Sequence, residues 1–312
     1  MRAADQRWVA KRRLAGGWFA ALLLVALVAK AELVTIATYN VENYLAADRV
    51  IDRTYRQAYP KTEAAKQALR TVIRSLNADI LALEEMGAQP YLEELQRDLA
   101  SEGLAYPHAE LLENSADPDR HVAVLSRRPF DAVTKHADLT FSYFGKKEAV
   151  KRGLLEVRIA TEAGELTVFV VHLKSRFTDR DDDPSSALRR AGEATAVRDR
   201  VLKIFPKPAA ARFLIVGDCN DSTASKPLRA LAQKGNTDIA EILPAADSRG
   251  EIWTHFYKKE ESYSRVDHVL VSPKLKAAVV GSAAKICDAP ETAAASDHRP
   301  VLVTLTFAAG TE

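Results

Sequence analysis

Acids, amides and histidines stand where apolar, β-branched runs end. The run at 33–39 leads into Asn40, Glu42 and Asn43, and the run at 79–83 into Glu84 and Glu85. His172 closes the run at 166–171, with Lys174 and Arg176 just beyond it. Gly217, Asp218, Cys219, Asn220 and Asp221 follow the run at 212–216. Asp267 and His268 open the run at 266–271, and Ser296, Asp297, His298 and Arg299 precede the last. A single Asp or Asn after a strand is commonly a turn or cap residue. Six such endings in one chain exceed what turns account for. A buried carboxylate costs several kcal/mol unless it is paired or bound to a cation.

The mixture fits a particular chemistry. Oxygen donors from Glu, Asp and Asn, without a Cys pair, suit a hard cation: Mg²⁺ or Mn²⁺, with Ca²⁺ as a further candidate. The histidines are single and scattered, without the spacing of a zinc site. Phosphoryl transfer needs a cation on a phosphate oxygen, an oriented water, and groups that stabilise the developing charge. Carboxylates, Asn, His, Lys and Arg supply that set. No G-x-S-x-G elbow, G-x-x-x-x-G-K-[ST] loop or G-x-G-x-x-G turn occurs. A thiol beside a carboxylate has a raised pKa, so Cys219 reads as a small buried side chain rather than a nucleophile.

These residues need a scaffold of strands and helices. The patterning predicts strands at 33–39, 79–83, 121–126, 154–159, 166–172, 212–216, 266–271 and 301–307. It predicts helices at 61–76, 89–101, 186–204 and 226–233. The first helix has Ala64, Ala65, Ala68, Leu69, Val72, Ile73 and Leu76 at helical spacing, and Pro184-Ser185-Ser186 marks the start of the third. Several strands are apolar throughout, as expected for strands covered on both faces. Mixed elements imply α/β or α+β layers. Residues 176–186, with three successive Asp, read as an exposed loop beside the His172 motif.

The chain has 312 residues, 47% hydrophobic and 28% charged, which excludes disordered, fibrous and low-complexity classes. Two cysteines are too few for a disulfide scaffold, although export would permit a Cys219–Cys287 bridge. Residues 1–31 combine a basic start, a short apolar run at 18–29 and Ala29-Lys30-Ala31, the signature of a cleaved signal peptide. One domain at 32–312 then remains, secreted or periplasmic and without stable membrane insertion. Removing this leader takes away six basic residues and one acid, so the net charge falls from +2 to −3. Any affinity for a polyanion must then come from local patches.

Taken in order, TYNVEN (38–43), DILALEE (79–85), VVHLKSR (170–176), VGDCND (216–221), SRVDHVLVS (264–272) and SDHRPV (296–301) resemble the endonuclease/exonuclease/phosphatase superfamily. The resemblance implies the DNase I-like fold: a four-layer sandwich of two packed mixed β-sheets flanked by helices, with the active site at one end. It implies a metal set of Asn40, Glu42, Glu85 and Asp297, with Glu84 where Gln is common. It implies catalytic roles for five residues. Asp218 orients or deprotonates the attacking water, and Asn220 bonds the phosphoryl oxygens. Asp267 sets the tautomer of His298, which contacts the phosphate or acts as acid/base. His172 stabilises the transition state or protonates the leaving oxygen. Arg152, Lys174 and Arg176 are the candidate substrate contacts, and His268 stands where an aromatic is frequent.

The motif forms resemble secreted bacterial nucleases most, which implies a monomeric, non-specific endonuclease acting on DNA, with RNA also open. Lys174, Arg176, Arg180, Arg189 and Arg190 would offset the negative mature charge. Tyr143-Phe144 and residues 253–257 offer aromatics for stacking or for packing. One alternative is a phosphodiesterase or phosphatase for lipids such as sphingomyelin or for inositol phosphates, with 139–144 (LTFSYF) the sole candidate apolar loop. The other is a non-catalytic binding protein that keeps the fold.

Overall fold

Burial along the strands sets the architecture. The computed structural model describes residues 31–308 except 115 and 179, so all but Ala31 of the expected leader lies outside the described residues. Three strands form where the patterning predicts them, at Leu154–Ile159, Leu166–His172 and Val301–Phe307. In chain order the principal elements are β1 (Glu32–Tyr44), α1 (Glu63–Leu76), β2 (Ile80–Met86), α2 (Gln89–Ser101), β3 (His108–Asn114), β4 (Asp117–Ser126), β5 (Ala132–His136), β6 (Leu154–Ile159) and β7 (Leu166–His172). Then follow α3 (Ala187–Ile204), β8 (Phe213–Asp218), α4 (Lys226–Ala232), β9 (Glu241–Ile242), β10 (Ala245–Ala246), β11 (Asp267–Val271), β12 (Ala284–Ile286), α5 (Thr292–Ala295) and β13 (Val301–Phe307).

Two mixed sheets result, ordered β10-β12-β13-β1-β2-β4-β3 and β9-β11-β8-β7-β6-β5. β1 and β2 pair in parallel in the first, β7 and β8 in the second. Between the sheets, Val34, Ile36, Ile80 and Val124 meet Val157, Val168, Leu214 and Val216. The outer face of the first sheet packs Ala37, Tyr39, Leu81 and Leu83 against Leu69, Val72 and Ile73 of α1 and Leu92 and Leu95 of α2. The second sheet packs Phe169, Val171 and Ile215 against Ala194, Val197 and Val201 of α3 and Leu228 of α4. Each such apolar side chain contributes about 1.5–3 kcal/mol by burial. The layers run helix, sheet, sheet, helix.

Local signals set the ends. Thr62 Oγ1 accepts from Ala65 N at 3.3 Å, so α1 starts two residues later than its apolar periodicity suggests. Asn77 ends it at a φ of 48°. Three of the strands carrying polar motifs run further than expected, β1 to Tyr44, β2 to Met86 and β8 to Asp218, because their polar ends keep pairing, whereas β11 starts one residue later than expected.

One open pairing is decided and two expectations are corrected. The Cys219–Cys287 bridge does not form; both thiols are free, Cys219 in the α3–α4 core and Cys287 against the α1–α2 core, on opposite sides of the sandwich. The Asp cluster is not wholly solvated, because Asp183 is buried and accepts from Leu188 N and Arg189 N at the start of α3. Arg190 is not a surface cation. It is 2% exposed and bonds Asp221 Oδ2 (3.0 Å) and the carbonyls of Lys174 (3.1 Å) and Ser185 (3.0 Å).

Candidate active site

Strand alternation assembles the site. Successive side chains on a strand face opposite sides. Since Val34 and Ile36 enter the central core, Thr38 and Asn40 point the same way at the end of β1. The same parity carries Ile80 and Ala82 to Glu84, Val168 and Val170 to His172, and Leu214 and Val216 to Asp218. Antiparallel β11 brings Asp267 opposite Asp218, and His172 is in register with Asp218 on its other side. Apolar inward residues give way to polar ones at one rim, and there the two sheets present their acids and amides to each other.

Backbone irregularity completes the rim. Glu42, Asn43, Glu85 and Asn220 have φ of 48°, 53°, 61° and 52°. Asn tolerates that region, whereas a Glu there costs about 1–3 kcal/mol. The bulge between Glu84 and Met86 turns Glu85 out of the strand's alternation. Gly217 has a φ of 139°, and a Cβ there would lie 1.9 Å from the Val171 carbonyl oxygen. Only glycine lets β8 approach β7 this closely just before Asp218.

Asp218 is the hub. Its Oδ2 accepts from Asn40 Nδ2 (3.1 Å), bridging the sheets, and from Asn220 Nδ2 (3.0 Å). Its Oδ1 accepts from Asn220 N at 2.8 Å. His172 Nε2 lies 3.6 Å and His298 Nε2 4.0 Å from the same Oδ2. Burial, then the charge of Asp267, push the Asp218 carboxyl up to about 7, with His298 opposing them. His298 Nδ1 donates to Asp267 Oδ2 at 2.9 Å. Burial lowers this imidazole's pKa, but Asp267, Asp218 and Asp297 outweigh it and hold the ring protonated well above its usual range. His172 shifts the other way, well below that range, through burial and the neighbouring Arg152 and His298 charges. It is a neutral hydrogen-bonding group here, not a proton donor held charged at neutral pH.

Ser296 Oγ donates to the Asn40 carbonyl (2.8 Å) and accepts from His298 N (3.0 Å), which ties the last motif to β1. Thr254 Oγ1 accepts from Val266 N and Asp267 N. Arg299 lies 2.7 Å from Asp247 and packs over Trp253. His268 bonds the Asp221 carbonyl (2.8 Å) from behind the strand, away from the rim.

The remaining predicted residues are placed differently. Glu85 Oε2 accepts from Asn43 N at 3.0 Å, and Glu42 pairs with Lys61 at 3.5 Å. Burial, then the Asp297 charge, raise the Glu42 carboxyl. Glu42, Glu85 and Asp297 are not all within 4.8 Å of one another among the described residues; the tighter groups are Asp218-Asp267-His298 and His255-Asp297-His298. Oxygen donors that repel one another at Glu42 and Asp297, with Asp267 Oδ1 buried and unbonded, fit a hard cation. Arg152 is buried against Asp117 (2.8 Å). Lys174 folds its ammonium onto its own loop at Ser175 and Phe177 and drops to about 8 by burial. Arg176 is exposed.

Sequence reasoning missed Thr254, His255 and Glu193. Glu193, on α3, is fully buried and accepts from Lys151 N (3.2 Å) and Lys174 N (2.7 Å), which holds the loops bearing Arg152 and Lys174. A Glu amid Arg and Ala on a helix carries no signal for that role.

A sandwich whose facing strand ends gather buried Asp, Asn and His at an acidic rim is the architecture of a metal-dependent phosphoesterase. A model described as the Endonuclease/Exonuclease/phosphatase family matches residues 37–298, and the chain belongs to that family. Family members are hydrolases of phosphoester bonds. No curated protein matches the chain in sequence. Among solved structures, beta toxin from Staphylococcus aureus matches with a TM-score of 0.60 at 14% identity, covering 86% of this chain and 99% of its own. The human Nocturnin catalytic domain gives 0.60 at 14%, over 89% and 97%. An endonuclease/exonuclease/phosphatase from Beutenbergia cavernae gives 0.59 at 19%, over 90% and 73%. At these identities the likeness is one of fold. The same toxin, as a two-residue mutant, has been solved with bound magnesium ions.

Proposed function

We propose that the chain is a secreted or periplasmic endonuclease that hydrolyses DNA phosphodiesters with a divalent cation, Mg²⁺ or Mn²⁺. The observation that carries the chemistry is the gap of 4.0 Å between Asp218 Oδ2 and His298 Nε2, a base tuned near neutral pH facing an imidazolium. Asp218 takes the proton of the attacking water, held in place by its bonds from Asn40 and Asn220. His298, kept charged by Asp267, faces the phosphoryl group and stabilises the charge that develops on its oxygens, while the departing oxygen takes its proton from solvent. His172 donates a hydrogen bond to a phosphoryl oxygen, and Asn220, whose amide hydrogens go to Asp218 and the Leu173 carbonyl, keeps Asp218 in place. Asn40, Glu42, Glu85 and Asp297 would hold the cation, which polarises a phosphoryl oxygen when bound.

Two hairpins beside the rim support a nucleic-acid substrate. One, Ala47–Ile51 with Thr54–Tyr59, follows Glu42 and Asn43 directly and exposes Arg53, Tyr55 and Arg56. The other, His255–Tyr257 with Ser262–Ser264, exposes Tyr257 and Tyr263. It borders a cleft of about 850 Å³ lined by Trp253, Tyr257, Lys258, Lys259, Glu42 and Asp297. Cations for phosphates and exposed rings for bases are what a single strand needs. The lipid reading has less support, because in the 139–144 segment Leu139 and Tyr143 are buried, and the half-exposed Phe144 has the Arg180 guanidinium over its ring.

The test is supercoiled plasmid incubated with purified residues 32–312 and Mg²⁺ or Mn²⁺, with EDTA as control. Nicking that EDTA abolishes is expected. Turnover of sphingomyelin or inositol phosphates instead would overturn the substrate assignment, and no turnover of any would overturn the enzyme reading. Sequencing the N-terminus of the exported protein tests cleavage after Ala31.

A further inference from the structure

His255, absent from every motif, lies against the catalytic imidazole. Its ring centroid is 4.5 Å from that of His298, and the two residues form an antiparallel bridge. Phe256 N donates to the Asp297 carbonyl at 2.9 Å, which fixes the hairpin on this segment. His255 Nε2 lies 3.7 Å from Asp297 Oδ2, and His298 Nε2 lies 4.0 Å from Asp297 Oδ1. All three ligand atoms are within 4.8 Å of one another.

We propose that His255, Asp297 and His298 form a site for a borderline transition-metal cation, Zn²⁺ or Co²⁺, whose occupancy blocks the enzyme. Two imidazole nitrogens and one carboxylate oxygen, with a fourth position open, are a donor set that favours these ions over Mg²⁺ or Ca²⁺. Bonds of about 2.0–2.1 Å put tetrahedral ligands roughly 3.4 Å apart, so the three ligand atoms, which lie within 4.8 Å of one another, must draw together around the ion, as the exposed Asp297 carboxylate can. The far nitrogens are already engaged: His298 Nδ1 by Asp267 at 2.9 Å, and His255 Nδ1 lies 3.4 Å from Ser264 Oγ. That outer shell aims both Nε2 atoms at Asp297. Asp297 is about two-fifths exposed and His255 about one-fifth, so an ion can reach the site from solvent. The blocking step rests on the proposed function: an ion on His298 Nε2 displaces that nitrogen's proton to solvent and occupies the atom that faces Asp218.

The test starts with binding, which needs no substrate. Co²⁺ added to the purified chain is expected to give the visible absorption of a tetrahedral complex at one equivalent, and Zn²⁺ to displace it. His255→Gln should weaken binding by at least about tenfold, with Asp297→Asn as a second, independent variant. Circular dichroism checks that each is folded. In Mg²⁺-supported cleavage, Zn²⁺ should inhibit the wild type over the range in which it binds, and the Zn²⁺ concentration that halves the rate, measured against each protein's own Mg²⁺-only rate, should rise at least about tenfold for His255→Gln. No Co²⁺ complex in the wild type, or equal binding by wild type and both variants, would overturn the site. Binding without inhibition would overturn the block. Binding in a protein that cleaves no phosphodiester would uphold the site and sink the proposed function instead.

Discussion

Asp267→Asn isolates one charge in the site. The bond from His298 Nδ1 to Asp267 Oδ2 is 2.9 Å long and buried on both sides. Asn keeps the shape and an acceptor oxygen, so the ring stays in place while the charge is lost. At that distance and an effective dielectric of about 20, the Coulomb attraction is on the order of 6 kcal/mol. The retained hydrogen bond and local relaxation reduce the loss to about 3–5 kcal/mol, the usual cost of removing one partner of a buried pair. At about 1.4 kcal/mol per tenfold, kcat/KM should fall about 10²- to 10⁴-fold. Both limbs of the pH profile should also move. Without Asp267 the imidazolium loses its proton at lower pH, so the alkaline limb shifts down. Asp218, pushed up to about 7 by burial and then by Asp267, loses part of that rise, so the acid limb shifts down too. The assay is the initial rate on bis(p-nitrophenyl) phosphate with Mg²⁺ across the pH range, with thermal unfolding as the fold control. A variant within about tenfold of wild type and with both limbs unmoved would remove the pair from the chemistry.

Three further outcomes follow from packing and burial. Gly217→Ala should destabilise by at least about 3 kcal/mol in urea unfolding, because its Cβ meets the Val171 carbonyl at 1.9 Å and the φ of 139° excludes other residues; a loss below about 1 kcal/mol would refute the close approach. Arg190→Met should cost about 3–5 kcal/mol and speed proteolysis within 173–186, because Asp221 and two carbonyls lose their donor; unchanged Tm and cleavage would contradict this. Glu84→Gln should stabilise increasingly as pH rises. Burial, and then Asp267 and Asp218 against the Thr38 bond, raise this carboxyl well above its unfolded value, so the folded state binds the proton more tightly and wild-type stability falls above about pH 4.3. Gln cannot ionise, so the variant should gain at least about 2 °C in Tm near pH 8 and nothing near pH 4; an equal effect at both would refute a neutral Glu84.

Much of this molecule is legible in one dimension. Strands β6, β7 and β13 and helix α2 are set by local periodicity, and their ends match the patterning residue for residue. The order of the polar motifs points to the family, because alternation on a strand fixes which residue faces inward: Val170 inward puts His172 inward, and Val216 puts Asp218 there. Local rules stop at bulges and at long-range partners. No periodicity shows that Glu85 turns out of the strand at a φ of 61°, that Arg190 is swallowed between Asp221 and two carbonyls, or that Cys219 and Cys287 lie in different layers. Nor does spacing bring His255 to Asp297 and His298, since the metal signatures readable in sequence are short helical or loop spacings. That contact exists because a hairpin between β10 and β11 bridges its own backbone to the segment before β13. Sequence alone determined which side chains are available for chemistry and on which face of each strand they stand; the pairing of two sheets and one docked hairpin decided which of them meet, because contacts between distant segments are set by packing and not by local propensity.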